Sequence, residues 1–197
     1  MEKIEYLINS CIMAIVPEYV KNKGNAMLVI TKNSSPVYIY RRLVTVLRWI
    51  GKYFFIDISA AKRFSRDVLG HSNIVPIPFN IKNIFIPLKV RSTLSKNDSA
   101  FGYFNMSYIK DIKKQGEQVF VSLDNDIDIQ IIQRYETAKR HFNDGEIIQR
   151  IYNNRQYAYL VMEDSADFYK KFNQPATKGD IASLRNEIID LLNTISK

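Results

Sequence analysis

Apolar positions in the first forty residues fall into short runs parted by polar breakers. Residues 11–16, 27–31 and 37–40 read as three strands, separated by Lys21-Asn22-Lys23-Gly24-Asn25 and by Asn33-Ser34-Ser35-Pro36. The period then changes. Leu43, Val44, Leu47 and Ile50 recur at helical intervals over residues 41–52, with Arg41, Arg42, Arg48 and Lys52 on the flanks. A second helix is expected over 59–69, where Ser59 can cap, Ala60, Phe64 and Val68 repeat every four residues, and Gly70 stops the chain.

Residues 74–79 and 84–88 are β-branched and aromatic, but Pro76, Pro78 and Pro87 remove backbone donors, which predicts edge strands. Residues 89–100 have no apolar period and read as a cationic loop. Strand character returns over 101–112 and 118–132, with Asp124-Asn125-Asp126 as a hairpin turn. From Tyr135 onward Ala138, Phe142, Ile147, Ile148, Ile151 and Tyr152 are helically spaced, and Asn143-Asp144-Gly145 predicts a break into two helices. The order of elements predicts an α+β fold, a mostly antiparallel sheet with basic helices, over residues 1–172. Residues 173–197 read as a linker followed by a short helical tail, whose stripe Ile181, Leu184, Ile188, Leu191 and Ile195 suits oligomerisation or docking of a partner.

Charge sharpens this picture. The 197-residue chain carries a net +8, yet residues 1–120 hold 18 Lys and Arg against 8 Asp and Glu, a net of +10, while the remainder is slightly acidic. A basic face in the first three-fifths of the chain attracts polyanions. The candidate nucleic-acid contacts are Arg41, Arg42, Arg48, Lys62, Arg63, Arg66, Lys89, Arg91 and Lys96.

Catalytic chemistry finds little support. His71 and His141 belong to no metal or triad pattern and read as surface residues. Asp124, Asp126 and Asp128 start like a calcium loop but lack the glycine and glutamate that such a loop needs. The single cysteine, Cys11, reads as a small buried hydrophobe and excludes a disulfide within the chain. The expectation is a cytoplasmic, non-enzymatic protein with no cofactor, no metal and no membrane span. Two alternatives stay open: an RNA or single-strand binder stacking bases on Tyr38, Tyr40, Tyr53, Phe54 and Tyr103, and a protein-interaction adaptor acting through the C-terminal stripe.

One order of motifs adds to this. Phe54-Phe55, small residues, Lys62-Arg63, Ile74-Val75-Pro76-Ile77, Ile84-Phe85-Ile86-Pro87, a Ser/Arg/Asn loop and Phe101-Gly102-Tyr103-Phe104 follow one another at spacings that resemble the ComK family of competence transcription factors. The likeness extends upstream through Ala14-Ile15-Val16-Pro17-Glu18 and downstream into the helix around 137–152, covering residues 11–152. The chain departs from the family pattern at Ile58-Ser59-Ala60-Ala61-Lys62, where Ser-Tyr-x-Gly-Arg is usual, at Pro87-Leu88, where Pro-Thr is usual, and at Phe101-Gly102-Tyr103, where Cys-x-Trp is usual. The resemblance implies a transcriptional activator that binds paired AT-rich boxes of double-stranded DNA through the minor groove as a homo-oligomer, under control of a proteolytic adaptor. Arg63 and Arg91 suit insertion into a narrow A·T minor groove.

Overall fold

The computed structural model describes residues 2–71, 74–172, 181, 184, 185 and 188. The chain divides into two units, Met1–Asn154 and Arg155–Lys197. The first opens on helix α1 (Glu2–Asn9), which the apolar pattern did not foretell, followed by strands β1 (Ile12–Val20), β2 (Gly24–Thr31) and β3 (Val37–Ile39). Helices α2 (Leu43–Tyr53) and α3 (Ile58–Leu69) come next, then strands β4 (Ile77–Asn80), β5 (Asn83–Lys89) and β6 (Phe101–Asn105). A 3-10 turn at Met106–Tyr108 leads into β7 (Ile109–Gln115), β8 (Gln118–Leu123) and β9 (Asp128–Ile131), and helix α4 runs from Tyr135 to Phe172. The α+β class and the antiparallel pairing agree with the sequence.

Six strands form one sheet in the order β3-β2-β1-β6-β5-β4, and β7-β8-β9 form a second. Both faces of the larger sheet are covered, which explains why its strands read as apolar runs without polar alternation. On one face Ile15, Met27, Val29, Ile77, Phe79, Phe85 and Tyr103 pack with Ile4 and Leu7 of α1, Val46, Leu47 and Ile50 of α2, and Ala61 of α3. On the other, Val16, Ile30, Ile84, Ile86, Leu88 and Phe104 meet Ile112, Val121 and Ile131 of the small sheet and Ala138 and Ile148 of α4. Strand alternation does the sorting: Phe85 faces the first cluster, while Ile84 and Ile86 face the second. A bulge between Ile12 and Ala14 adds one residue to β1, so Met13 and Ala14 both reach the second cluster.

Several local expectations are corrected. β5 is an interior strand, not an edge, because it pairs with β4 and β6 at once. Its Pro87 is tolerated because β4 runs beside β5 only from Asn83 to Phe85, so among the described residues no strand flanks Pro87 on the side away from β6. The cap of α3 is Asp57, not Ser59; its carboxylate accepts the Ala60 amide at 2.6 Å. Gly70 does end α3, at φ 69°. Asn143-Asp144-Gly145 does not break α4, which runs through it, because Gly145 is buried where α4 approaches the core. Cys11 is half-buried and joins α1 to β1 at φ 62°.

The histidine reading also fails for His141, which is only 4% exposed. His141 Nδ1 lies 3.9 Å and His71 Nε2 3.3 Å from the Asp144 carboxylate. Burial, with nearby Arg140 adding repulsion, holds the His141 imidazole below the usual histidine range, although Asp144 opposes this. In the unfolded chain the ring takes up a proton near its ordinary pKa of about 6.5. The contribution of a neutral His141 to stability is therefore complete above about 6.5 and is lost as pH falls below it. The urea midpoint is expected to drop between pH 7.5 and pH 5.5, and the drop should shrink in His141→Gln. A midpoint with equal pH dependence in both proteins would contradict this.

Candidate nucleic-acid interface

Helices α2 and α3 meet at the Phe54–Asp57 connection and form one wall of a groove of about 780 Å³. Its lining includes Arg42, Arg48 and Lys52 from α2 and its N-cap, Asp57 and Lys62 from α3 and its N-cap, and Asn97, Asp98 and Ser99 from the β5–β6 loop. Amphipathicity places the cations here. Val46, Leu47 and Ile50 take α2 into the core, which leaves Arg48 and Lys52, four residues apart, exposed together on one face. Lys62 is held half-buried, its ammonium 5.9 Å from the centre of the Tyr103 ring. Burial first, and Arg66 second, push the Lys62 ammonium below its ordinary pKa.

Two carboxylates also line the groove; both are held by neutral donors and keep their charge, so four cations there face two anions. Asp57 caps α3, and Asp98 accepts the Tyr19 hydroxyl at 2.7 Å and the Asn25 amide at 2.9 Å. Among the described residues, the lysine ion pairs lie elsewhere: Lys32 with Asp124, Lys110 with Asp126, Lys113 with Asp128, and Lys139 with Asp111. The hairpin aspartates that resembled a calcium loop thus serve lysines of the small sheet and its surroundings. Arg42, Arg48, Lys52 and Lys62 make no ion pair among the described residues, so their positive potential is not cancelled at contact range.

The other predicted cations are dispersed. Arg41 is exposed and donates to the carbonyl of Tyr40, while Arg63 and Arg66 lie on α3 outside the groove lining. Lys89 is half-buried at the end of β5, and Lys96 is exposed in the following loop but does not line the groove. Arg91 is a strut. Its Nη2 donates to Asn25 Oδ1 at 2.7 Å, its Nε to the Ser99 carbonyl at 2.9 Å, and its guanidinium lies 4.0 Å from the centre of the Tyr19 ring. These contacts brace the loop that carries Asn97 and Asp98. Lys52 is the groove cation absent from the predicted set; its spacing of four from Arg48 is the signal that could have found it.

A family model described as ComK protein matches residues 3–163, more than four-fifths of the chain. The chain belongs to the ComK family. Membership supports a competence-type transcription factor, and it covers the large sheet, the groove and the small sheet together. No curated protein and no solved structure matches the chain. Among the described residues no helix is long and apolar enough to cross a membrane, and no group of three or more His, Cys, Asp or Glu could hold a metal ion.

Against the ComK background the aromatic alternative can be located. Tyr103 is buried, which pushes its phenol up to about 12, and Phe54 packs on Phe79 with ring centres 5.9 Å apart. Neither ring is free to stack on a base. Tyr38 and Tyr40 are exposed and stacked at 6.5 Å, but they sit on and beside edge strand β3, and the Tyr38 hydroxyl is bonded to Glu18 at 2.7 Å. In the second unit Ile181, Leu184 and Ile188 are helical and exposed, while Leu191, Ile195 and the expected linker lie outside the described residues.

Proposed function

We propose that this ComK-family chain is a DNA-binding transcriptional activator that prefers AT-rich duplex, read through the minor groove with phosphates held by Arg42, Arg48, Lys52 and Lys62. The observation that carries this reading is the gathering of those four cations from two helices into one groove without an ion pair among the described residues. Phosphate neutralisation needs several long cations on one surface, and a narrow A·T minor groove concentrates negative potential that favours them. Arg63, exposed on α3, remains available for insertion, whereas Arg91 is committed to its internal bonds. In the same reading the apolar stripe of the tail, with Ile181, Leu184 and Ile188 exposed in the single chain, serves self-association or the docking of a proteolytic adaptor.

A shift assay with three probes of equal length tests the proposal. An AT-rich duplex is expected to bind roughly tenfold or more tightly than a GC-rich duplex, and more tightly than RNA. Equal affinity for both duplexes would remove the sequence preference, and preference for RNA would replace the reading by single-strand recognition.

A further inference from the structure

Phe55 sits where the fold gives it no reason to be phenylalanine. Helix α2 ends in a Schellman motif: the Phe55 amide donates to the Lys52 carbonyl at 3.3 Å, and the Ile56 amide donates to the Gly51 carbonyl at 2.8 Å. This closure puts the residue after the cap in the left-handed region, and Phe55 has φ 56°. Glycine or asparagine adopts that conformation easily, whereas a bulky side chain is strained there. Solvation is unfavourable as well. The Phe55 side chain is 95% exposed, although Phe54 beside it packs on Phe79. In the single chain both the backbone and the ring would be better served by another residue.

The position of the ring suggests what covers it. Lys52, Ile56, Asp57, Ile58 and Ser59 all line the cationic groove, so Phe55, which does not itself line it, is flanked in the chain by residues that form its wall. Proteins that hold a duplex by its phosphates often insert an apolar side chain between base pairs, unstacking one step and bending the helix. Pyrimidine–purine steps such as TA unstack most readily, and the strained turn holds the ring on a short, closed connection between two helices. We propose that Phe55 is a wedge that inserts at a TA step of the duplex held in the groove; this rests on the reading of the groove as a DNA site.

The experiment compares the full chain with Phe55→Gly on an AT-rich duplex that carries 2-aminopurine beside a TA step and a dye at each end. Wild-type binding is expected to raise the 2-aminopurine fluorescence and shorten the distance between the dyes. Phe55→Gly should bind about tenfold more weakly, as loss of one aromatic–base contact does, with neither signal and with an unchanged salt dependence. Free of DNA, the variant should melt about 2 °C higher, because glycine suits the left-handed turn. Wild-type binding with a variant that keeps both signals would overturn the wedge and leave the groove standing. Failure of the wild type to bind duplex would overturn both. A Phe55→Gly protein that sediments as a smaller species without DNA would place the ring in an interface between copies of this chain and overturn the wedge.

Discussion

Replacing Arg42, Arg48, Lys52 and Lys62 together by glutamine is expected to weaken duplex binding on the order of 100-fold at moderate salt. The reason lies in their arrangement more than in the charge removed. Each contact to a phosphate releases a counterion, so losing four should reduce the slope of log affinity against log salt by about 3 to 4. A matched control separates a local surface from net charge. Lys32, Lys110, Lys113 and Lys139 carry the same four charges but are paired with Asp124, Asp126, Asp128 and Asp111. Their fourfold replacement by glutamine should leave the slope nearly unchanged. Two quadruple variants that bind alike would show that the field of the whole chain, and not the groove, attracts DNA. Replacement of Arg91 belongs to neither set, because its bonds to Asn25 and Ser99 make it a support of the loop.

Gly145→Ala should destabilise the protein, although alanine is the better helix former by about 1 kcal/mol. A Cβ on Gly145 would stand 2.2 Å from Met106 Sδ and 2.6 Å from Ile86 Cγ2, inside the packed cluster beneath α4. The helix cannot retreat cheaply, since Ala138 and Ile148 on either side are fully buried in that cluster. Gly145→Val adds two more carbons to the same space. It is expected to cost about 3 kcal/mol, at the upper end of overpacking effects, and to lower Tm by about 6 to 12 °C. Thermal melts followed by circular dichroism check both. If Gly145→Ala raised Tm, helix propensity would outweigh packing at this position, and the close approach of α4 would be relieved by a small shift of Met106.

That same residue shows where local pattern is insufficient. In sequence, Asn143-Asp144-Gly145 has the composition of a turn, and nothing in the flanking residues reveals that a sheet lies close beneath it. Glycine there answers a contact with Ile86 and Met106, residues about 60 and 40 positions away. His141 is a similar case. Its neighbours Lys139 and Arg140 suggest a surface, but position 141 lies one turn beyond Ala138 on the buried face and is 4% exposed. The edge expected at β5 failed for a comparable reason: Pro87 argued against ladder pairing, while the pairing of β6 along Phe85–Lys89 depends on a strand more than ten residues later.

The candidate interface was legible in part. Periodicity identified α2 and α3 as basic helices, and the run of motifs from Phe54 to Phe104 resembled the family that the chain proves to join. Which cations converge was another matter. Arg42, Arg48 and Lys62 line the groove with Lys52, whereas Arg41, Arg63, Arg66, Lys89, Arg91 and Lys96 do not. A cation at a given sequence spacing from its neighbours has a defined direction only within its own helix; the angle between two helices is decided by what their apolar faces bury.

By itself, then, the chain determined those features that arise from residues near one another: strand and helix periods, the αL stop at Gly70, the Asp124–Asp126 hairpin turn, the basic bias of the first 120 residues and the family motifs. Tertiary structure decided the rest: that β5 is interior, that α4 runs through Gly145 unbroken, that Arg91 braces a loop, and that, among the described residues, four lysines of the small sheet and its surroundings are paired while those of the groove are not. The physical reason is common to all of these. Backbone conformation is set by sterics over a few residues, but burial, ion pairing and convergence depend on contacts between segments that only the packed core brings together.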